Sequence, residues 1–252
     1  MSHEPGVPWL MPGAPFPPTH RALREPDGLL AIGSDLSVET LLQAYSRGIF
    51  PWFNDDQPIL WWTPDPRLVL FPEAFHQSRS LRRLLRRDHF QFSIDQQFAT
   101  VMHACAAPRD ADGGTWIVEE MRSAYLALHQ AGHAHSIEVW RDGTLCGGLY
   151  GVCLGGAFFG ESMFSLADNA SKAALALLCR LHPAHGISLI DCQMETPHLL
   201  SLGAHTLPRQ TFEAKLSEST RAATPGGWHW PHLVAPLTAY AARYALDMEC
   251  LL

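Results

Sequence analysis

Residues 135–193 read HSIEVWRDGTLCGGLYGVCLGGAFFGESMFSLADNASKAALALLCRLHPAHGISLIDCQ, and the order of elements in this stretch decides the fold. HSIEVWR (135–141) alternates apolar and polar side chains, as a strand with one buried face does. It runs into Asp142-Gly143, a pair suited to the positive φ angles of a tight hairpin turn. TLCGGLYGVCL (144–154) follows, then Gly155-Gly156, then AFFGESMFS (157–165). Asp168 or Asn169 is placed to cap the helix ASKAALALLCRLH (170–182), which Pro183 stops. GISLIDCQ (186–193) is a short apolar strand. Three antiparallel strands, a helix and a further strand therefore follow one another.

The pattern extends in both directions. Upstream, VEEMRSAYLALHQAG (118–132) reads as a helix stopped by Gly132, DQQFATVMHACA (95–106) as a second helix and FQFSI (90–94) as a strand. In RSLRRLLRR (79–87), Arg79, Arg82, Arg83 and Arg86 follow i, i+3, i+4, i+7, while Leu81, Leu84 and Leu85 take the opposite face. Downstream, HLLSLGA (198–204) is a short helix ending at Gly203. Nearer the N-terminus, residues 35–48 form a helix that Asp35 or Ser37 can cap, with Glu39 in its first turn and Gly48 at its end. The first 20 residues, rich in Pro and Gly, form an extended arm. Between Trp62 and Asp65 two X-Pro steps interrupt the pattern and mark a boundary. The expectation is an α+β chain with a small N-terminal domain, 1–63, carrying the arm 1–20. A larger domain, 64–252, holds a mostly antiparallel sheet flanked by helices.

Bulk properties exclude several classes. With 252 residues, 47% of them hydrophobic and 17% charged, the chain can bury a sizeable core and is not disordered by composition. No apolar run reaches the 18 residues of a membrane span. The opening MSHEPGVPWLMPGAPFPP lacks the basic start and apolar core of a secretory signal. Six cysteines, at 105, 146, 153, 179, 192 and 250, form no CxxC pair. They suit free thiols in a reducing compartment, so a cytoplasmic location is expected. The net charge of −7 speaks against a general nucleic-acid binder. The cations are nevertheless almost all arginine, Lys172 and Lys215 being the exceptions, and Arg79, Arg82, Arg83, Arg86 and Arg87 cluster.

Several side chains are candidates for chemistry. Period-2 alternation in SLIDCQ puts Asp191 and Gln193 on one face and Cys192 on the other. A carboxylate and an amide closing an apolar strand can line a cleft, or can cap a turn. No histidine is placed to activate Cys192, which reads as a packed thiol. Glu161, inside FFGESMFS, is a carboxylate in apolar surroundings; it either has a task or pairs with an arginine. Trp52, Trp61, Trp62 and Trp116 lie in turn-rich stretches, where they can stack on unpaired bases or fill the core. The arginine face of 79–86 can grip phosphates or be plainly solvated. The histidine pairs 133/135 and 182/185 lack a Cys or acidic partner at a recognised spacing and there is no HExxH, so no metal site is expected. GGLYGVCLGG has neither the GK[ST] of a P-loop nor GxGxxG spacing, and no GxSxG elbow occurs.

Taken together, ALREPDGLLAIGSDLS, AYSRGIFPWF, ILWWTPDPR, HQSRSLRR, GTWI, AHSIEVW, GGLYGV, FFGESMFS, ASKAAL, LIDCQ and SLGA occur here in that order. The chain resembles the leucyl/phenylalanyl-tRNA–protein transferases from about residue 22 to about residue 216. One departure is Ser34 in GSDLS, where the family usually has a second Gly.

The resemblance implies a larger domain with a GNAT-like, acetyltransferase-like fold. It implies transfer of Leu or Phe, and also Met, from aminoacyl-tRNA to proteins beginning with Arg or Lys, marking them for degradation by the N-end rule. It implies no cofactor, and we expect a monomer. By the same resemblance Asp191 and Gln193 are the catalytic pair. Leu149, Phe158, Leu175, Leu178 and Ile190 line the pocket for the transferred side chain. Glu161 and Ser165 hold the α-amine or the 3′ adenosine, Trp52 and Trp116 sandwich the adenine with Tyr45 and Tyr125 nearby, and Arg79, Arg82, Arg83 and Arg86 hold the tRNA backbone. Two other readings stay open: an N-acetyltransferase of the same fold and a non-catalytic tRNA-binding module. The first would need a glycine-bearing pyrophosphate loop, and FSLADNASKAA has no glycine.

Overall fold

The computed structural model describes residues 6–87, 89–107, 117–181 and 186–222, together with the backbone of 235–236. The expected adenine-stacking residue Trp116 therefore lies outside the described residues. The N-terminal part is a four-stranded sheet that the sequence pattern did not announce. Its strands are β1 (Trp9–Leu10), β2 (Leu29–Gly33), β3 (Phe50–Pro51) and β4 (Leu60–Trp62), in the order β1-β2-β4-β3. Strands of two to five residues carry too little alternation to be read as such. Between β2 and β3 runs α1 (Val38–Tyr45), shorter than the expected 35–48. Ser37 is its cap, accepting from the Thr40 amide at 3.3 Å, and Asp35 braces that cap by accepting from the Ser37 amide at 2.9 Å. Gly48, at φ 70°, turns the chain out of the helix towards β3.

The second sheet opens with β5 (Arg67–Leu70). Next come α2 (Arg79–Arg86), β6 (Gln91–Ile94), α3 (Phe98–Cys105) and α4 (Glu119–Gln130). The hairpin strands β7 (Ala134–Arg141), β8 (Thr144–Leu154) and β9 (Ala157–Ser165) follow, with Asp142 and Gly143 at φ 52° and 74° as the tight turn requires. The order then continues with α5 (Ala170–Arg180), β10 (Leu189–Gln193), α6 (Pro197–Ser201), β11 (His205–Leu207), α7 (Arg209–Arg221) and β12 (Ala235–Pro236). The eight strands are ordered β11-β5-β10-β9-β8-β7-β6-β12. Only β9 and β10 pair in parallel; the other neighbours are antiparallel. The α+β class and the mostly antiparallel sheet are as expected.

Each face of the large sheet carries its own core. Alternation sends Tyr150, Val152 and Phe159 to one face, where they join Phe98 and Val101 of α3, Tyr125 and Leu128 of α4 and Tyr45 of α1. Leu149, Phe158 and Ile190 go to the other, against the alanine-rich α5 and Leu81 and Leu85 of α2. On α2 the arginines are exposed and the leucines turned inward, as their spacing dictates. At the start of α5 one expectation needs correction. Asn169 is the residue before the helix, but its backbone is left-handed and its side chain makes no cap. The Ser171 amide is instead bound by the Ser165 hydroxyl at 3.2 Å.

Candidate active site

Two β-bulges on neighbouring strands build the site. Along β8 and β9, Tyr150 pairs with Ser162 and Gly151 with Gly160, so Glu161 is the extra residue. Along β10 and β5, Asp191 pairs with Val69 and Gln193 with Leu68, so Cys192 is the extra residue. A bulge re-aims the side chains beside it. Gln193 is carried into a left-handed backbone conformation, φ 64°, which breaks the simple alternation expected of SLIDCQ. The parallel pairing of β9 with β10 ends at Phe159 and Asp191, although both strands continue. A notch opens between them, and Glu161 and Gln193 meet across it, the Gln193 amide Nε2 donating to Glu161 Oε1 at 3.0 Å. Gln193 Oε1 accepts no hydrogen bond among the described residues.

Glu161 is 8% exposed and fully engaged. Tyr45 donates to its Oε1 at 2.7 Å and Tyr125 to its Oε2 at 2.8 Å, and the two phenol oxygens also touch each other. Three oxygen–oxygen contacts in a closed ring need three protons. Two phenols supply two, so with Glu161 ionised both donate to it and their own contact has no proton; with Glu161 protonated it donates to one phenol, that phenol to the other, and the second phenol back to the carboxyl. Burial pushes Glu161 towards the protonated state, up to about 7, against the lowering influence of the phenols and Gln193. The tyrosines, buried beside this carboxyl, hold their own protons well above the usual phenol range.

Asp191 faces the other way in its bonding. It is completely buried, and Arg67 at the start of β5 grips it with two bonds, Nε to Oδ1 at 2.8 Å and Nη2 to Oδ2 at 2.7 Å. The Arg67 guanidinium lies over the rings of Phe50 and Phe212, 4.7 Å and 4.8 Å from their centroids. Asp191 Oδ1 also accepts from the Gln193 backbone amide at 2.9 Å. It thereby holds Gln193 in its unusual conformation rather than touching the Gln193 side chain. Sequence reading missed Arg67. An arginine opening the apolar run RLVL and an aspartate closing the apolar run SLID are each costly to bury alone, and that was the available signal.

A cavity of about 110 Å³ adjoins these groups, lined by Phe50, Pro51, Trp52, Glu161, Gln193 and Met194. Trp52 is 37% exposed at its edge, packed edge-on against Trp62, whose Nε1 donates to the Trp52 carbonyl at 2.7 Å. Trp61, by contrast, is core, fully buried and bonded to the Gly33 carbonyl. The structure thus gathers Tyr45, Trp52, Tyr125, Glu161, Asp191 and Gln193. Leu149, Phe158, Leu175, Leu178 and Ile190 lie together in the second core, on the α5 side of the sheet, and none of them lines that cavity. Ser165 is not brought to the group. It stands four residues beyond Glu161 along β9, roughly 13 Å at the usual strand rise, with its hydroxyl committed to the turn into α5. Among the described residues no cluster of three or more His, Cys, Asp or Glu side chains is arranged to hold a metal ion.

Comparison with known proteins identifies the lineage of this site. Residues 69–217 match the family model described as leucyl/phenylalanyl-tRNA protein transferase, and residues 34–65 match the model of that family's N-terminal domain. A leucyl/phenylalanyl-tRNA–protein transferase of Aromatoleum aromaticum is 57% identical over 223 residues, 88% of this chain and 94% of the relative. One from Nitrosospira multiformis is 56% identical over 212 residues, 84% of this chain and 91% of the relative. Among solved structures the overlaps are partial. A GCN5-related N-acetyltransferase from Kribbella flavida gives a TM-score of 0.33 at 11% identity, over 67% of this chain and 59% of its own. The structure of L-PGS from Bacillus licheniformis gives 0.36 at 9% identity, over 66% and 53%. With both family models matched and relatives above half identity over most of its length, the chain belongs to the leucyl/phenylalanyl-tRNA–protein transferase family.

Proposed function

We propose that this chain transfers Leu, Phe or Met from an aminoacyl-tRNA to the α-amine of a protein beginning with Arg or Lys, as a cytoplasmic monomer, and so marks that protein for degradation. The observation that carries the mechanism is the Gln193 side chain, which lines the Trp52–Glu161 cavity with its Nε2 tied to Glu161 and, among the described residues, no donor on its Oε1. The reaction is aminolysis of an ester. A neutral amine attacks the acyl carbonyl, a C–N bond forms, the C–O bond to the 3′ adenosine breaks, and one proton passes from nitrogen to the departing oxygen. The ester is already activated, so orientation and proton handling suffice.

Gln193 is a poor base but a good guide. Its Nε2 is tied to Glu161, which fixes the amide so that Oε1 can accept an N–H of the incoming amine. Asp191 is a positioning residue, holding the Gln193 backbone while Arg67 neutralises its charge. The Glu161 carboxyl, ringed by Tyr45 and Tyr125, faces the α-amine of the donor. Trp52 offers its ring to the terminal adenine, and Trp116 would supply the second ring. The side chain of Leu or Phe passes through the notch towards Leu149, Phe158, Leu175, Leu178 and Ile190. An apolar pocket there sorts by size and shape alone, about 1–3 kcal/mol per methylene, which fits acceptance of several apolar residues. Arg79, Arg82, Arg83 and Arg86 contact the tRNA backbone, where sequence is not read.

The decisive assay mixes the protein with radiolabelled Leu-tRNA and a peptide beginning with Arg, in parallel with acetyl-CoA as donor. Label is expected on the peptide from Leu-tRNA alone. Transfer from acetyl-CoA would favour the acetyltransferase reading. Binding of tRNA with no transfer from either donor would reduce the chain to a tRNA-binding module.

A further inference from the structure

The ring of Tyr45, Tyr125 and Glu161 joins α1, α4 and β9, and two of its three members have no route to water. Both tyrosines are fully buried. Phe159 tilts over Tyr45 with centroids 5.0 Å apart, and Tyr150 of β8 stands edge-on to Tyr125 at 5.7 Å. Of the three, Glu161 is the one that lines the cavity shared with Trp52 and Gln193. Among the described residues no Lys, Arg or His forms an ion pair with it. Asp191 of β10 raises its proton affinity further, although Arg67 of β5 holds that aspartate with two bonds. On the same face of β9, α3 brings only the exposed His103 and the buried Cys105. The α5 helix lies against the other face, and α7 turns Phe212, Leu216 and Ser219 inward.

A carboxylate out of water needs a counter-charge, or it keeps its proton. The neutral acid satisfies every contact in the ring. Glu161 Oε2 donates to Tyr125, Tyr125 to Tyr45, and Tyr45 to Oε1 at 2.7 Å, while Oε1 takes a second bond from Gln193 Nε2 at 3.0 Å. The Gln193 bond selects this direction, because Oε1 with two donors upon it is the oxygen less suited to hold the proton. In the ionised state both phenols donate to the carboxylate, their mutual contact loses its proton, and a bare charge stands in the cavity wall. Burial accordingly raises Glu161 to about 7. A primary ammonium entering the cavity supplies what the ionised state lacks, a positive charge and N–H donors.

We infer that the empty site holds one shared proton in the Tyr45–Tyr125–Glu161 ring and releases it when the α-ammonium of the donor docks. The pocket is thus neutral while empty and becomes an anion only against a cation. The exchange balances simply: the ring's carboxyl proton leaves to the buffer, and the ammonium keeps its own three protons beside the carboxylate. The inference rests on the reading of Glu161 as the group that faces the donor's α-amine.

The test is calorimetric titration of the full chain with two stable donor mimics. One is phenylalanine joined by an amide to 3′-amino-3′-deoxyadenosine; the other carries phenylpropionic acid in its place and so lacks only the α-amine. Repeating each titration at one pH in buffers of different ionisation enthalpy counts the protons exchanged. At pH 6 the amine probe should release about one proton, because its amine, with a pKa of about 8, arrives charged. Near pH 8 the sign should reverse to a partial uptake, since the carboxyl is then largely ionised and part of the amine is neutral. The Kd of the amine probe should rise about tenfold from pH 6 to pH 5, and that of the des-amino probe should not. Glu161→Gln should abolish the proton release and bring the two probes to similar affinity, with Tm read in parallel to confirm folding. Tight binding of the amine probe at pH 6 with no proton exchanged would show the carboxyl already ionised and overturn the proposal. Equal release by wild type and E161Q, or by both probes on the wild type, would place the titrating group elsewhere and overturn it as well. Failure of both probes to bind the wild type would instead remove the donor reading beneath it.

Discussion

At Arg67 a complete guanidinium lies out of water, held between two carboxylate oxygens of Asp191 and the rings of Phe50 and Phe212. Such a pair contributes little beyond an apolar pair of the same volume, but half of it is worse than neither. Arg67→Met should therefore cost about 3–5 kcal/mol by leaving Asp191 charged and unpartnered, as urea unfolding would show. Arg67→Met combined with Asp191→Leu should recover most of that loss; equal costs for the single and double variants would contradict the pairing argument. Glu161 makes a different prediction, in pH. Its carboxyl is raised from 4.5 to about 7, chiefly by burial. The native state thus keeps a proton that the unfolded chain releases. The stabilisation is complete below about 4.5 and is lost as pH rises through about 7, a change of up to about 3 kcal/mol for this group. Glu161→Gln, which imitates the protonated acid, should flatten that part of the profile. The check is Tm at pH 5 and pH 8 in both proteins. A wild type and variant that change in parallel between those values would show that Glu161 is ionised throughout.

The elements that matter most are β9 and β10, whose bulges carry Glu161 and Gln193 to one point. Opposite the first bulge lies Gly151, and the reason for glycine is steric: a Cβ there would stand 2.1 Å from the Phe159 carbonyl and 2.6 Å from the Phe158 ring. Neither the backbone of the neighbouring strand nor a buried ring can yield that much. Gly151→Ala should force β8 and β9 apart where the bulge forms, costing about 1–3 kcal/mol as overpacking does, and should move Glu161 relative to the two phenols. The measurement pairs Tm with the transfer rate. Loss of rate beyond what the fall in folded fraction explains is expected, and a purely thermal effect would refute the link from Gly151 to Glu161. The strands themselves were readable as strands because β7, β8 and β9 are long enough to alternate and end in strong turns. The bulges were not. A single extra residue leaves no trace in hydrophobic period, so Asp191 and Gln193 were placed on one face when Cys192 is in fact the inserted residue. The Asn169 cap failed for a related reason. Several polar residues were near the helix start, and Ser165, which the family resemblance assigned to substrate, reaches Ser171 from across the turn.

Across the whole molecule, what escaped the sequence is what depends on distant parts meeting. Tyr45 and Glu161 are 116 positions apart, and Arg67 and Asp191 are 124 apart; local pattern says nothing about either pair. The family resemblance gathered Tyr45, Tyr125, Glu161, Asp191 and Gln193 without explaining what holds them together. The structure supplies the agent in α7, a helix that no periodicity argument had marked. Its Arg209 donates to the Thr63 carbonyl at 2.7 Å and its amide to Asp65 at 2.9 Å, which pins the link between the two sheets. One turn on, the fully buried Phe212 fits against Gly48, where a Cβ would stand 2.5 Å from the ring, and lies over the Arg67 guanidinium. Phe212 therefore touches the turn that ends at Tyr45's helix and the arginine that holds Asp191. Removing its ring should loosen both halves of the site at once. Phe212→Ala is expected to cost about 3–5 kcal/mol, and Phe212→Leu, which keeps the fold, is the variant for kinetics. Displacement of Tyr45 or Gln193 by about 1 Å would lower kcat by ten- to a hundredfold through misplaced groups. KM for the aminoacyl-tRNA should change little, because α2 and its arginines lie on the far side of the sheet from α1 and α4. A leucine variant whose kcat holds while KM rises would mean that α7 supports donor binding instead of the alignment of Glu161 with Gln193.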